Sequence, residues 1–534
     1  MTLPGSQPAA ESWRRFALTG LVLVVVLNVA AFAVRAQFVT VSGAYAATTG
    51  FEEFCLYNIW KVAHGLPLYE WPQKEHYLLT SYNAGFYHCY AAWAKLWRAD
   101  GEALVACVRW LTPLFGGLGM FVQVHLIERV APRGRSSRAW IWGLSFLTWF
   151  GTSFVAWGPL TARPDIPAAA FALAGFALAL RAQETRRPGW WLTSSVMFFV
   201  AWSFKQSVVW IFAGTLLQAF RARAGWASLL RLAGPFGALA LAGVAGADAA
   251  YRYNIFSVPG VYRWFPWQPL GLLAKAAMPN LFFCGFGGWA LWRGLARGAV
   301  VRDGVPGARW RAMAGVAILP LAVGVVQLAL HGSSTNNILE GWIMIATLGA
   351  VAWLQCWERA PDRRALAAGA ILLLTMAPLP VVQLALAARG VPNTEIRGVS
   401  IGNLTKLNAA QLAQRRQFAD WMRTLPKPLW MRDAMLQLPW FATDDRYPAF
   451  PLDYEFEADA LRKGVLEGDG FAGWIRRRYF ACLLLRPDDR LLRVAHEAGY
   501  VEAMLPEGFQ PLATEFGLAR PAPRLLLRPS ESKP

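Results

Sequence analysis

Charge is scarce in this sequence: Asp, Glu, Lys and Arg make up 16% of 534 residues, where a soluble chain carries roughly 25%. With 56% hydrophobic residues beside it, that scarcity excludes a wholly soluble protein. Cysteine and histidine are scarce too, at six each. Cys55, Cys89, Cys107, Cys284, Cys356 and Cys482 form no CxxC pair and no Cys/His ligand spacing, which argues against a zinc site or a disulfide-stapled scaffold. Cys55 and Cys89 fall in one loop and are read as small buried thiols in preference to a disulfide.

Acid is the scarcer sign, 33 residues against 52 Lys and Arg. The imbalance is local: from Arg389 onward there are 21 basic and 18 acidic side chains, leaving 31 against 15 before it. Basic residues concentrated in short loops between apolar runs mark the cytoplasmic side of a membrane and contact with anionic lipid. No basic stripe with interleaved aromatics lies on a soluble element, so nucleic acid is not expected as a partner.

What the sequence has in abundance is apolar runs. The first, Phe16 to Val34, follows Arg14 and Arg15 and is long enough to cross a ~30 Å hydrocarbon core. It is read as a retained span with a cytoplasmic N-terminus. Ten more follow: Val105 to Ile127, Ala139 to Trp157, Ile166 to Leu180, Trp190 to Phe204, Ser207 to Phe220, Leu232 to Ala247, Ala276 to Trp292, Ala312 to Leu330, Ile338 to Gln355 and Ala365 to Leu386. About eleven spans are therefore expected. The Arg-rich loops alternate with charge-poor ones, and an odd count leaves the C-terminus outside.

Two segments interrupt the pattern. Residues 37–104 are polar and aromatic and form a large first external loop, in which Ala84 to Trp97 suits a helix lying in the interface. Beyond 388 the composition becomes that of a soluble domain. Asn408 to Leu425 has helical spacing and Tyr479 to Leu485 reads as a buried strand. The expected architecture is a polytopic α-helical membrane domain over 1–388 and a small extracytoplasmic α/β domain over 389–534.

Ionisable residues near membrane depth cost ~2.5 to 3.5 kcal/mol each on insertion scales and are functional candidates. Here they are Arg163 and Asp165 at one outer span end, Lys205 at another, and His331 with Glu340 flanking Gly332 to Asn337. Glu52 and Glu53 open the first loop. Acids and cations at one membrane face suit glycosyl transfer from a lipid phosphate: a carboxylate takes the acceptor's proton, and cations offset charge growing on the leaving phosphate. The bland alternative is a set of solvated acids at helix starts.

A resemblance joins these pieces. Gly50-Phe51-Glu52-Glu53, Gly65-Leu66-Pro67-Leu68-Tyr69 and Ser81-Tyr82-Asn83-Ala84-Gly85-Phe86-Tyr87 resemble the first external loop of GT-C membrane glycosyltransferases, especially bacterial family-39-like members. Arg163-Pro164-Asp165 is similar to their Arg-x-Asp, Phe204-Lys205-Gln206-Ser207 to their Phe-Lys-Gln-[Ser/Thr], and Gly332 to Glu340 to a later Gly-Ser-x-x-Asn-Tyr-x-Leu-Glu segment. The departures are Glu52-Glu53 where many members carry Asp-Glu or Glu-Gly, and a missing proline in Ser81 to Ala84.

The resemblance implies a bacterial inner-membrane enzyme that moves a hexose or pentose from a polyprenyl-phosphate donor to a glycan, lipid or protein hydroxyl at the periplasmic face, with inversion. It implies Glu52 as base with Glu53 as the alternative, and Asp165 as a second catalytic acid that orients substrate or helps hold a divalent cation. Arg163 and Lys205 would meet the carrier phosphate, Arg163 otherwise serving to position Asp165. His331, Asn336, Asn337, Glu340, Tyr69 and Tyr82 would bind substrate. The rival classes are a transporter or flippase, which would show internal repeats or central charges not seen here, and a scaffold that binds lipid-linked glycan without transfer.

Overall fold

In hydrocarbon no water satisfies the backbone, so apolar runs close their hydrogen bonds internally as helices. The computed structural model describes residues 7–42, 52–71, 80–131, 135–151, 158–295, 304–330, 335–359 and 363–388, and beyond them 395–396, 399–400, 409–431, 461–464, 469–485, 487, 489–505 and 524–528. In chain order the helices begin with α1 (Gln7–Ser42), α2 (Glu52–Ala63), α3 (Ala84–Leu96), α4 (Gly101–Val130), α5 (Arg135–Phe150) and α6 (Asp165–Thr185). They continue with α7 (Pro188–Phe204), α8 (Val209–Arg221), α9 (Trp226–Ala245), α10 (Ala249–Arg252), α11 (Gln268–Ala277), α12 (Leu281–Leu295) and α13 (Gly304–Gln327). The last of the apolar series are α14 (Leu339–Arg359), α15 (Arg363–Leu374) and α16 (Pro378–Ala388).

Each of the eleven apolar runs carries helix. Among the described residues eight segments are long and apolar enough to cross a membrane. The three runs that fall short are α5, α7 and α8, with 16, 17 and 13 residues against the ~20 that a ~30 Å core takes at 1.5 Å per residue.

The chain divides into two compact units. The first comprises Met1–Val34, Thr112–Gly246 and Trp264–Ala385. Its centre is α14: the apolar window of that span is 94% buried, whereas the corresponding window of α9 is 17% buried. Trp140 of α5 packs against Trp353 and Trp357 of α14. A chain that is apolar on every side needs such surroundings. Inside this unit Gln123 of α4 donates to Thr148 of α5 and Thr347 of α14, and the N–H of Phe236, next to Pro235 inside α9, donates to Ser195 Oγ on α7 at 2.8 Å.

Close packing of α12 on α14 depends on small residues, as membrane helix pairs do. A Cβ added at Gly287 would stand 2.5 Å from the carbonyl oxygen of Ile345. Overpacking of this kind costs about 1–3 kcal/mol. Gly287→Leu is therefore expected to lower the melting temperature of the purified protein. Gly288→Leu, whose Cβ meets nothing within 4 Å, leaves it unchanged.

The second unit comprises Arg35–Leu111, Ala247–Arg263 and Leu386–Pro534. In its first-loop portion α3 packs on α2 and buries Phe86, Tyr87, Tyr90, Ala91 and Ala94. Cys55 and Cys89 form no disulfide. The terminal portion holds an antiparallel pair, β1 (Glu395–Ile396) and β2 (Val399–Ser400), and helix α17 (Ala409–Thr424). It also holds β3 (Leu429–Met431), α18 (Gly470–Arg476), β4 (Cys482–Leu485), α19 (Arg490–Glu497), β5 (Val501–Ala503) and β6 (Arg524–Leu527). The sheet order is β3-β4-β6-β5, with β3 parallel to β4 and the other pairs antiparallel. Trp430, Phe471, Ile475, Phe480, Leu483, Leu491 and Leu526 make its core.

Candidate active site

Three helix ends assemble the principal cluster, all within the first unit. Asp165 opens α6, Glu340 lies in the first turn of α14, and Lys205 ends α7 in an extended conformation before a short 3-10 turn leads into α8. Helix dipoles favour this placement, acids at N-termini and a cation at a C-terminus, by about 0.3–1 kcal/mol each. The approach to Asp165 is tied down by Thr161, whose carbonyl accepts from Thr112 Oγ1 and from the Arg163 N–H, both at 2.8 Å.

Lys205 is the hub. Its Nζ lies 2.8 Å from Asp165 Oδ1, 3.2 Å from the carbonyl oxygen of Asn336 and 3.4 Å from Glu340 Oε1. Arg163 Nε stands 3.2 Å from Asp165 Oδ2, and Asn336 Nδ2 donates to Asp165 Oδ1 at 3.1 Å. Ser207 Oγ donates to Glu340 Oε1 at 3.3 Å. The side chains of Arg163, Asp165, Lys205 and Glu340 are 13%, 8%, 5% and 5% exposed. Two acids and two cations, almost withdrawn from water, balance one another; a lone charge there would meet the full desolvation cost.

Asn337 shares the 3-10 turn Thr335–Ile338 and is half-buried. Its carbonyl oxygen would be 2.8 Å from a Cβ at Gly324, so that glycine lets α13 approach the turn. His331 lies outside the described residues, as does the side chain of Glu53.

Glu52 belongs to the second unit, at the start of α2. Arg109 of α4 grips it end on, Nε to Oε1 at 2.9 Å and a terminal nitrogen to Oε2 at 2.7 Å, with both side chains fully or almost fully buried. Tyr69 donates its hydroxyl to the carbonyl of Tyr82 at 2.8 Å, and its ring meets Tyr251 edge on. Burial, with Tyr251 and Asp248 adding to it, pushes the Tyr69 phenol well above its ordinary pKa and keeps it a donor. Around it Lys61 pairs with Glu70 at 2.7 Å, Thr80 donates to Asn58, Asn254 holds the Glu70 carbonyl, and Tyr251 donates to Asn83. Burial lowers the Lys61 pKa, and Glu70 opposes that shift.

Sequence reading missed Arg109, Ser207 and the Lys61–Glu70 pair. Arg109 had a signal: it is a charged residue inside the apolar run Val105 to Ile127. Among the described residues no group of three or more His, Cys, Asp or Glu could hold a metal. Asp165 and Glu340 both face the Lys205 ammonium, a donor set that does not fit an added divalent cation.

A helical membrane bundle with charged groups gathered at helix ends, followed by a small α/β appendage, defines the class: a multi-span membrane protein whose fold is shared with solved structures. The chain is similar to ArnT from Cupriavidus metallidurans in the apo state, with a TM-score of 0.54 and 15% identity over 94% of this chain and 97% of that one. It is similar also to the same protein bound to undecaprenyl phosphate, with a TM-score of 0.52, 14% identity and the same coverage of 94% and 97%. At these identities the likeness is one of fold. No protein-family model matches the sequence, and no curated protein does.

Proposed function

We propose that this chain is a membrane glycosyltransferase that takes a sugar from a polyprenyl-phosphate carrier and passes it to an acceptor hydroxyl on the periplasmic side of a bacterial inner membrane. The observation that carries the reading is the buried Arg163–Asp165–Lys205–Glu340 cluster, in a fold similar to a protein solved with undecaprenyl phosphate.

In this reaction the acceptor oxygen attacks the anomeric carbon, the bond from that carbon to the phosphate oxygen breaks, and the acceptor's proton passes to a carboxylate. Lys205 and Arg163 offset the charge that grows on the departing phosphate, the kind of fixed electrostatic help that lowers such barriers most. Two carboxylates are candidates for the proton, each paired with its own cations: Glu52 with the Arg109 fork, and Asp165 with Lys205 and Arg163. Attack opposite the leaving group inverts the anomeric centre. Tyr69 and Tyr82, joined to each other, shape the first loop, and Asn336 and Asn337 line the turn beside Lys205.

The test is a panel of polyprenyl-phosphate sugars given to purified protein, with products read by mass spectrometry. A glycosylated acceptor and released polyprenyl phosphate are expected with at least one donor. Glu52→Gln and Asp165→Asn then assign the base: the variant of the base loses product while retaining carrier binding. A protein that only moves or holds the lipid yields no product with any donor, and that result ends the proposal.

A further inference from the structure

A carrier changes charge during the reaction proposed above, and the following inference rests on that reading. The loaded lipid is a phosphodiester with one negative charge. The spent lipid is a phosphomonoester whose second pKa near 6 gives it about −1.5 to −2 at neutral pH. With fixed cations alone, the site would hold the spent carrier more tightly than the loaded one.

We propose that Glu340 corrects this preference, acting as the specificity-determining residue that repels the more highly charged spent carrier and favours the sugar-loaded one. The geometry supplies the argument. An ammonium has three protons, and Lys205 already faces three acceptors, Asp165 Oδ1, the Asn336 carbonyl and Glu340 Oε1. Any phosphate oxygen that reaches Lys205 displaces one of them.

Glu340, at 3.4 Å, is the loosest partner, and Asp165, at 2.8 Å, is the tightest. Displaced from Lys205, Glu340 is still tethered by Ser207, whose Oγ lies 3.3 Å from the same oxygen. Its carboxylate therefore stays beside the incoming phosphate. Among the described residues, the charged groups gathered with it are Lys205 at the end of α7, and Asp165 and Arg163 at the start of α6. The charge-neutral cluster tolerates one extra negative charge better than two, because Coulomb repulsion from a fixed carboxylate grows in proportion to the ligand's charge.

Two lipids of the same chain length test this: polyprenyl phosphate and its monomethyl ester, a diester that cannot transfer. Binding of each to full-length protein in nanodiscs is measured for wild type and Glu340→Gln at pH 8. Glu340→Gln is expected to bind the methyl ester about tenfold more tightly and the monoester about a hundredfold more tightly, moving the ratio by about tenfold. Wild type supplies a second reading that needs no variant. As pH falls from 8 to 5 the monoester becomes singly charged, and the discrimination between the two lipids closes. A ratio that ignores both the substitution and the pH, with both lipids bound, overturns the role of Glu340 and leaves the proposed function standing. Failure of wild type to bind either lipid overturns both.

Discussion

Lys205→Ala is expected to reduce sugar transfer by about 10²- to 10³-fold, the loss that follows removal of one preorganised donor from a developing anion. The same change leaves Asp165 with Arg163 as its cation and takes from buried Glu340 the ammonium it faces, so the melting temperature falls as well. Lys205→Arg separates the two effects. It keeps the positive charge and restores the melting temperature. A planar guanidinium cannot reproduce the three-way ammonium geometry at one nitrogen, so transfer recovers only in part. Initial rates at saturating donor, set beside thermal unfolding of each variant, check the prediction. Wild-type rates in a well-folded Lys205→Ala protein would remove this cluster from the chemistry.

Arg109→Ala is expected to be strongly destabilising, costing about 3–5 kcal/mol, because it leaves the buried Glu52 carboxylate without its two-pronged partner. Glu52→Gln leaves Arg109 uncompensated and costs a similar amount. The double variant Glu52→Gln with Arg109→Met removes both charges together, and buried pairs replaced in this way often recover most of the lost stability. Comparison of the three melting temperatures gives the coupling between the two residues. Transfer by the folded double variant then separates chemistry from support. If it transfers at the wild-type rate, Glu52 only anchors the first loop, and the base lies elsewhere.

Much of this fold was legible in the sequence, because the membrane imposes a simple rule on backbone and side chains. Each of the eleven apolar runs carries helix. What hydropathy did not give was helix length: α5, α7 and α8 stop at 16, 17 and 13 residues, because average hydropathy does not record where a helix ends. Asp165, Lys205 and Glu340 were each visible as charges at the ends of runs. Their pairing was not, since Lys205 and Glu340 lie 135 residues apart and no local spacing records such a contact. Arg109 was hidden because a run judged by its average swallows one charged member. The grouping of the first loop with Ala247–Arg263 and the terminal segment in one unit is equally invisible, since each piece read alone is ordinary polar chain. His331 and the Glu53 side chain stay as sequence expectations.

The burial of α14 has a consequence for how the protein is made. The helix that every neighbour leans on begins at Leu339, well past the middle of the chain. At about 5–20 residues per second, tens of seconds of synthesis separate the start of α1 from it. Until then the earlier helices of this unit sit in the bilayer around an unfilled interior, with Gln123, Trp140 and Lys205 each missing a partner that α14 supplies. Closure of the bundle around α14 is thus a late event, timed by translation, and a ribosome that stalls before Leu339 leaves α6 to α9 packed on one another but α5, α12 and α13 without the helix they close upon.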